Sequence, residues 1–168
     1  MSQLSLSLDS SLLVRDVAGD YRPANADEVL QAARRVLAGQ MRGCEALTSP
    51  QVVRDFLRVK LGTLEHEVFA VIHLDAQNRV IDYVEMFRGT VSQTSVYPRE
   101  VVKEALARNS AALLLVHNHP SGAAEPSRAD EMLTQTLKSA LALVDVRVLD
   151  HLIVAGSAIL SFAERGLL

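Results

Sequence analysis

The sequence predicts an α/β (α+β) sandwich in which helices flank a mixed β-sheet. Amphipathic helical patterns and extended apolar runs alternate after about residue 62, as they do when helices cover a sheet. One run, at residues 111–116, is apolar throughout, which is typical of a strand buried on both faces. With 168 residues, of which 49% are hydrophobic and 22% charged, the chain is long enough to bury a core of its own.

Two helices are predicted in the first part of the chain. Asn25 or Asp27 is a typical helix N-cap, and Gly39 is expected to end the helix that follows. A second helix is expected at Ser49 and Pro50, a capping residue followed by the proline favoured at the first helical position. Its apolar face, which we expect in the core although a homodimer contact is the alternative, consists of Val52, Val53, Phe56 and Leu57.

Strands and helices then alternate along the rest of the chain. Residues 68–74 and 79–87 are predicted as the two strands of a hairpin, and Pro98 as the start of a helix. After the apolar strand and a turn, Ser127 is expected to open another helix and residues 146–154 to form a further strand. This order of elements predicts the mixed sheet.

Charge and cysteine content exclude several classes of protein. Seventeen Lys and Arg against 20 Asp and Glu give a net charge of −3, which argues against a chain coated in positive charge for nucleic acid. The single Cys44 excludes an internal disulfide and a cysteine-based zinc site. There is no run of roughly 18–20 apolar residues and no pattern of a secretory signal, so we expect a cytoplasmic protein with no membrane partner.

The candidate site consists of His117, His119 and Asp130. Two histidines separated by one residue at the end of a strand point to the same side, because side chains alternate along a strand. Asp130 is expected in the first turn of the next helix, and the loop containing Gly122 is long enough to fold that turn back over the histidines. Two imidazoles and one carboxylate with an open fourth position are typical of catalytic zinc, whereas structural zinc has four protein ligands.

A simpler interpretation of the same segment stays open. Ser127 and Asp130 have the spacing of a helix capping box, in which the two side chains satisfy backbone amides. In that interpretation Asp130 has no role in binding a metal ion.

Segments 117–122 (His-Asn-His-Pro-Ser-Gly) and 126–130 (Pro-Ser-Arg-Ala-Asp) resemble the metal-binding JAMM motif of JAB/MPN metalloproteins in its RadC-type form. That motif is His-x-His, then a serine eight positions on and an aspartate three after it, and His119, Ser127 and Asp130 obey the spacing. The resemblance runs from about residue 47 to the C-terminus, and its further pieces are Glu67-x-Phe69, 87–90, 98–101 and 149–153.

The resemblance implies a JAB/MPN-like fold, a curved mixed sheet flanked by helices in a cytidine-deaminase-like sandwich. It implies that His117, His119 and Asp130 hold Zn²⁺ at the sheet edge. The implied activity is that of a zinc-dependent metallohydrolase, a JAMM-type metalloprotease acting on a peptide or isopeptide-linked protein.

The resemblance also implies roles for two further residues. Glu67 would take a proton from water and later pass it to the leaving amine, and Ser127 would stabilise the oxyanion. Glu65 and Glu85 are the alternatives for the base. Asp150 and His151 belong to the RadC-like pattern. They could orient a ligand histidine, or they could be hydrogen-bonded polar residues at the edge of the core.

The resemblance divides the chain into an N-terminal extension with one helix (1–46) and the metalloprotein domain (47–168). Longer RadC proteins carry a helix-hairpin-helix-like segment for DNA ahead of this domain. Residues 1–46 lack its Gly-rich hairpin, so a short form is expected.

DNA is a further possible partner, through a basic helix face that consists of Arg54, Arg58 and Lys60. The alternative function is accordingly that of a DNA-repair or mobile-element accessory protein in which zinc is structural.

Overall fold

The computed structural model describes residues 12–46, 49–89 and 95–168. A small antiparallel pair of strands precedes two helices, and a five-stranded sheet with three further helices follows. The elements are β1 (Leu13–Arg15), β2 (Tyr21–Pro23), α1 (Ala26–Met41), α2 (Pro50–Leu61), β3 (Val68–Leu74), β4 (Val80–Arg88), α3 (Pro98–Ala107), β5 (Ala112–Asn118), α4 (Arg128–Ala142), β6 (Arg147–Ala155), β7 (Ala158–Ser161) and α5 (Phe162–Arg165).

The large sheet is mixed and has the strand order β4-β3-β5-β6-β7. Strands β5 and β6 are parallel, and the other neighbouring pairs are antiparallel. The parallel pair brings the carboxyl ends of β5 and β6 to the same edge, where His117 lies beside Ile153 and Asn118 beside Val154. The mixed sheet between helices confirms the predicted fold class.

Hydrophobic cores lie on both faces of the sheet, because side chains alternate along each strand. In β3, Ala70 and Ile72 face α1 and α2, whereas Phe69 and Val71 face α3 and α4. The predicted apolar face of α2 belongs to the first of these cores, where Val53, Phe56 and Leu57 are buried and Val52 packs against them. Within the described parts of the chain, no helix is both long enough and apolar enough to span a membrane.

Two predicted ends were wrong by two residues, and β4 and β6 each lie one residue later than predicted. Helix α1 continues through Gly39 to Met41, and the buried Met41 side chain anchors that last turn in the core. A glycine inside a helix costs only about 1 kcal/mol, which such packing offsets. Strand β5 does not end at residue 116 but extends to Asn118, because His117 and Asn118 continue the ladder with β6. The predicted N-caps Asn25 and Ser127 are confirmed.

Candidate metal centre

The side chains of His117, His119 and Asp130 meet at the carboxyl end of β5. His117 is in the strand and His119 just beyond it, but the backbone N–H of His119 still donates to the carbonyl of Val154, at 2.8 Å. The strand conformation therefore persists far enough for both imidazoles to lie on the same side of the sheet.

The donor atoms of these three residues form a compact cluster. His117 Nε2 lies 2.9 Å from His119 Nε2 and 3.3 Å from Asp130 Oδ1, and His119 Nε2 lies 3.6 Å from Asp130 Oδ2. The side chains of His117, His119 and Asp130 are only 9%, 14% and 16% exposed. One donor atom from each lies within 4.8 Å of the others, so the group could hold one metal ion.

The start of α4 fixes Asp130 in this cluster. The N–H and the hydroxyl of Ser127 both donate to Asp130 Oδ2 at 2.7 Å, and the Asp130 N–H donates back to Ser127 Oγ at 3.2 Å. The capping box is therefore present, and it does not compete with a metal role, because Asp130 Oδ1 faces His117. Burial raises the pKa of Asp130, but hydrogen bonds with His117, His119 and Ser127 outweigh it and hold the pKa well below its usual range.

The outer nitrogen of each imidazole has a partner that directs Nε2 towards the cluster. His119 Nδ1 lies 2.7 Å from the carbonyl oxygen of Ala123, to which it donates. The hydrogen bond with Asp130 raises the pKa of His119; burial opposes this, whereas the Ala123 carbonyl and the charge of Glu67 add to it. His117 Nδ1 lies 2.8 Å from His151 Nε2. Such partners fix the ring orientation and the tautomer of a histidine ligand.

A chain of hydrogen bonds continues from His117 into the core. His151 is fully buried, and its Nδ1 lies 2.6 Å from Thr134 Oγ1, which donates to the carbonyl of Asp130 at 2.6 Å. One pattern satisfies every group: His117 Nδ1–H donates to His151, and His151 Nδ1–H donates to Thr134. Burial lowers the pKa of His151, which favours the neutral ring that this pattern needs.

The structure gives Asp150 a different position from His151. Its carboxylate accepts from Ser161 Oγ and from the N–H of Ala163 at the start of α5. Asp150 thus fixes the β7–α5 corner and does not reach the cluster. Thr134 was missed in the sequence, although it follows Asp130 by one helical turn, which places both on one face of α4.

The predicted acid and hydroxyl lie beside the cluster, and their roles stay predictions. Glu67 immediately precedes β3, and its charge contributes to the raised pKa of His119. Of the alternatives, Glu85 forms an ion pair with Lys60 at 2.9 Å, and Glu65 is exposed. The hydroxyl of Ser127 is directed at Asp130.

The helix face considered for DNA binding is neutralised by neighbouring acids. Arg54 pairs with Glu164, and Arg58 pairs with Asp55 at 2.7 Å. Lys60, the third cation, forms the ion pair with Glu85 described above. All three charges are thereby compensated, as on an ordinary solvated helix face.

Comparison with known proteins relates this arrangement to a family. A family model described as a RadC-like JAB domain matches residues 47–167. A UPF0758 protein of Leptothrix cholodnii is 61% identical over 150 residues, which cover 89% of this chain and 68% of that protein. A UPF0758 protein of Aromatoleum aromaticum is 64% identical over 146 residues, 86% of this chain and 65% of that protein.

A third UPF0758 protein, from Methylibium petroleiphilum, is 56% identical over 167 residues, 95% of this chain and 75% of that protein. The chain thus spans roughly two thirds to three quarters of the length of these relatives. The match of the family model and these identities agree, and the chain belongs to the RadC-like JAB domain family.

Proposed function

We propose that this protein is a zinc-dependent hydrolase of amide or isopeptide bonds. The observation that supports this most directly is the convergence of two imidazole nitrogens and one carboxylate oxygen, from His117, His119 and Asp130, within 4.8 Å of one another. Three protein donors leave a further position of a four-coordinate ion for water or substrate, which is the pattern of catalytic rather than structural zinc.

The donor set fits zinc in spacing and in its surroundings. A tetrahedral ion with bonds of about 2.0–2.2 Å has ligand atoms roughly 3.3–3.6 Å apart. His117 Nε2 lies 2.9 Å from His119 Nε2 and 3.3 Å from Asp130 Oδ1, and His119 Nε2 lies 3.6 Å from the other oxygen, Oδ2; these separations are close to this range. The outer nitrogens of both histidines have hydrogen-bond partners, as zinc-ligating histidines do.

The residues around the site would have separate roles in hydrolysis. When bound, zinc supplies Lewis acidity that lowers the pKa of a bound water to about 7. The Glu67 carboxylate would accept a proton from the attacking water and deliver it to the departing amine nitrogen as the C–N bond breaks. The Asp130 carboxylate stays ionised because its pKa is held low. For Ser127 to stabilise the oxyanion, its hydroxyl would have to turn from Asp130 towards the substrate.

Membership of the JAB-type family supports a peptide or lysine isopeptide bond as the substrate. The competing proposal, a DNA-associated accessory protein, needs a basic surface. The compensated charges of Arg54, Arg58 and Lys60 give that proposal no support.

The test is hydrolysis of a defined mixture of peptides and lysine-branched isopeptides by zinc-loaded protein in ¹⁸O-enriched water. We expect new carboxyl termini that carry one ¹⁸O atom. Glu67→Gln should retain zinc and slow cleavage on the order of 10²–10⁴-fold, the usual contribution of a general acid–base group.

Glu65→Gln and Glu85→Gln are the matched controls, because each removes the same carboxylate at an alternative position. Both are expected to cleave at the rate of the unaltered protein. A full rate in Glu67→Gln would transfer the base to one of these two residues. If the zinc-loaded protein cleaves neither peptides nor isopeptides, the proposed function is wrong.

A further inference from the structure

We propose that Asn118, the residue between the two candidate histidine ligands, is a positioning residue that holds Glu67 beside the metal centre. This inference rests on the proposed function, because it concerns the base of that reaction. A base must lie within hydrogen-bond reach of the proton that it abstracts. The backbone at Glu67 therefore has to be fixed relative to His117 and His119.

The Asn118 side chain forms hydrogen bonds with the backbone on both sides of Glu67. It is 2% exposed, and its Oδ1 accepts a hydrogen bond from the N–H of Val68 at 2.8 Å. Its Nδ2 donates to the carbonyl oxygen of His66 at 3.0 Å. Because His66 and Val68 are the two neighbours of Glu67, one carboxamide holds the peptide groups before and after this residue.

This contact takes the place of a further step in the β3–β5 ladder. The backbone register between the two strands ends with Phe69 opposite His117. One residue further, the backbone of Asn118 pairs with Val154 in β6, and its side chain supplies the acceptor for Val68. On the other side, the N–H of Gly89 donates to the carbonyl of Glu67 at 2.9 Å. The Glu67 segment is thus held from β4 and from β5.

The chemistry of the two contacts requires a carboxamide. The N–H of Val68 can only donate and the carbonyl of His66 can only accept, so the amide oxygen and nitrogen of Asn118 have a single satisfactory orientation. Aspartate keeps the acceptor for Val68 but directs an oxygen at the His66 carbonyl. Alanine loses both contacts. Asn118 is also bonded covalently to His117 and His119. Its hydrogen bonds to residues 66 and 68 therefore connect the backbone at Glu67 with that of both histidines.

The experiment follows the position of Glu67 without a substrate, in protein loaded with Co²⁺ as a paramagnetic probe. Glutamates are labelled with ¹³C at the carboxyl carbon, and the signal that disappears in Glu67→Gln is assigned to Glu67. In Asn118→Ala and Asn118→Asp we expect about one Co²⁺ per chain and a changed paramagnetic shift of Glu67. In Asn118→Ala, which removes the acceptor, the Val68 amide should also exchange faster by about tenfold, as for loss of one hydrogen bond.

Gln77→Ala is the matched control, because it removes an exposed carboxamide in the β3–β4 turn. It should leave the Glu67 signal and the exchange of Val68 unchanged. If Asn118→Ala does not fold, Asn118→Asp decides the question, since it keeps the volume of the side chain and one of the two contacts.

Two results would overturn the inference. One is an unchanged Glu67 shift in a folded Asn118→Ala or Asn118→Asp protein. The other is loss of Co²⁺ from these variants, which would mean that Asn118 supports the metal ligands instead. Failure of the unaltered protein to cleave peptides would contradict the proposed function alone, while the Glu67 shift would still decide the role of Asn118. Failure of the unaltered protein to bind Co²⁺ would overturn both proposals.

Discussion

Buried histidines lie at both ends of one face of the sheet, and their surroundings differ. At the carboxyl end of β5, His117 Nδ1 contacts His151, and His117 Nε2 faces His119 and Asp130. At the opposite end, His73 in β3 is fully buried, and its Nδ1 lies 2.8 Å from Ser110 Oγ. The Nε2 of His73 is buried without a hydrogen-bond partner among the described residues.

The surroundings of the two histidines differ because different elements pack against the two ends of the sheet. The N-terminus of α4 packs over the His117 end and delivers Asp130 through its capping box. At the His73 end, burial and, to a smaller extent, the charge of Arg108 lower the pKa of His73 to about 4, although the charges of Glu104 and Asp82 oppose the shift. The candidate metal centre therefore differs from the His73 end not in the burial of its histidine but in the second imidazole and the carboxylate that converge on it.

The largest expected effect is the loss of metal from His117→Ala/His119→Ala. Removing two of three donors should lower zinc affinity on the order of 10³-fold or more, because a single carboxylate holds zinc poorly. Metal analysis after dialysis should find about one zinc per chain in the unaltered protein and essentially none in the variant. His73→Leu/Ser110→Ala, which removes the histidine at the other end, should retain its zinc; equal zinc in both variants would refute the site.

Acid should destabilise the fold through His73. Because its folded pKa, about 4, lies below the ordinary value of 6.5, the neutral ring is favoured in the folded state. This stability is complete above about pH 6.5 and is lost as the pH falls towards 4, with a limit of about 3 kcal/mol. Urea unfolding across this range should show the decline.

His73→Leu/Ser110→Ala should make this part of the pH profile shallower, with His151, whose pKa is also lowered by burial, contributing to the remaining slope. His66→Gln, a change at a half-buried histidine, should leave the slope in place. An unchanged slope in the His73 variant would assign the acid sensitivity to other groups.

Thr134→Val should weaken metal binding without touching a ligand. It removes the hydroxyl that contacts His151 Nδ1 and so leaves the ring that orients His117 without its outer partner. We expect a loss of about 10–100-fold in zinc affinity, measured by chelator competition. Thr136→Val is the matched control, since Thr136 also donates to a carbonyl one turn back on α4 but is exposed. Equal affinities in the two variants would deny the hydrogen-bond chain a role.

The smallest expected effect is that of Ser110→Ala. Loss of the hydroxyl leaves His73 Nδ1 without its partner, so the free energy of unfolding at neutral pH should fall by about 1 kcal/mol, with no change in zinc content. Ser157→Ala, at an exposed serine in the β6–β7 turn, should be neutral. A loss of zinc from Ser110→Ala would show that the two ends of the sheet are coupled.

Much of this arrangement could be predicted from local patterns. The alternation of strand side chains indicates that His117 and His119 share a side, and the capping spacing places Asp130 in the first turn of α4. Helical periodicity could also have placed Thr134 on the face of Asp130.

The remaining contacts depend on register between strands that are distant in the sequence. The pairing of Leu115 with His151 follows a register shift between β5 and β6 that no local pattern encodes. The reach of Asn118 to residues 66 and 68 likewise depends on where the β3–β5 ladder ends. Because the composition of residues 117–122 is typical of a turn, the last two residues of β5, His117 and Asn118, were predicted to lie outside the strand.

Anomalous diffraction at the zinc absorption edge, from crystals grown with Zn²⁺, would locate a bound ion among its ligands. We expect one strong peak per chain, about 2.0–2.2 Å from His117 Nε2, His119 Nε2 and one oxygen of Asp130. Absence of a peak there, or a fourth protein side chain completing the coordination of the ion, would contradict the proposed metal centre.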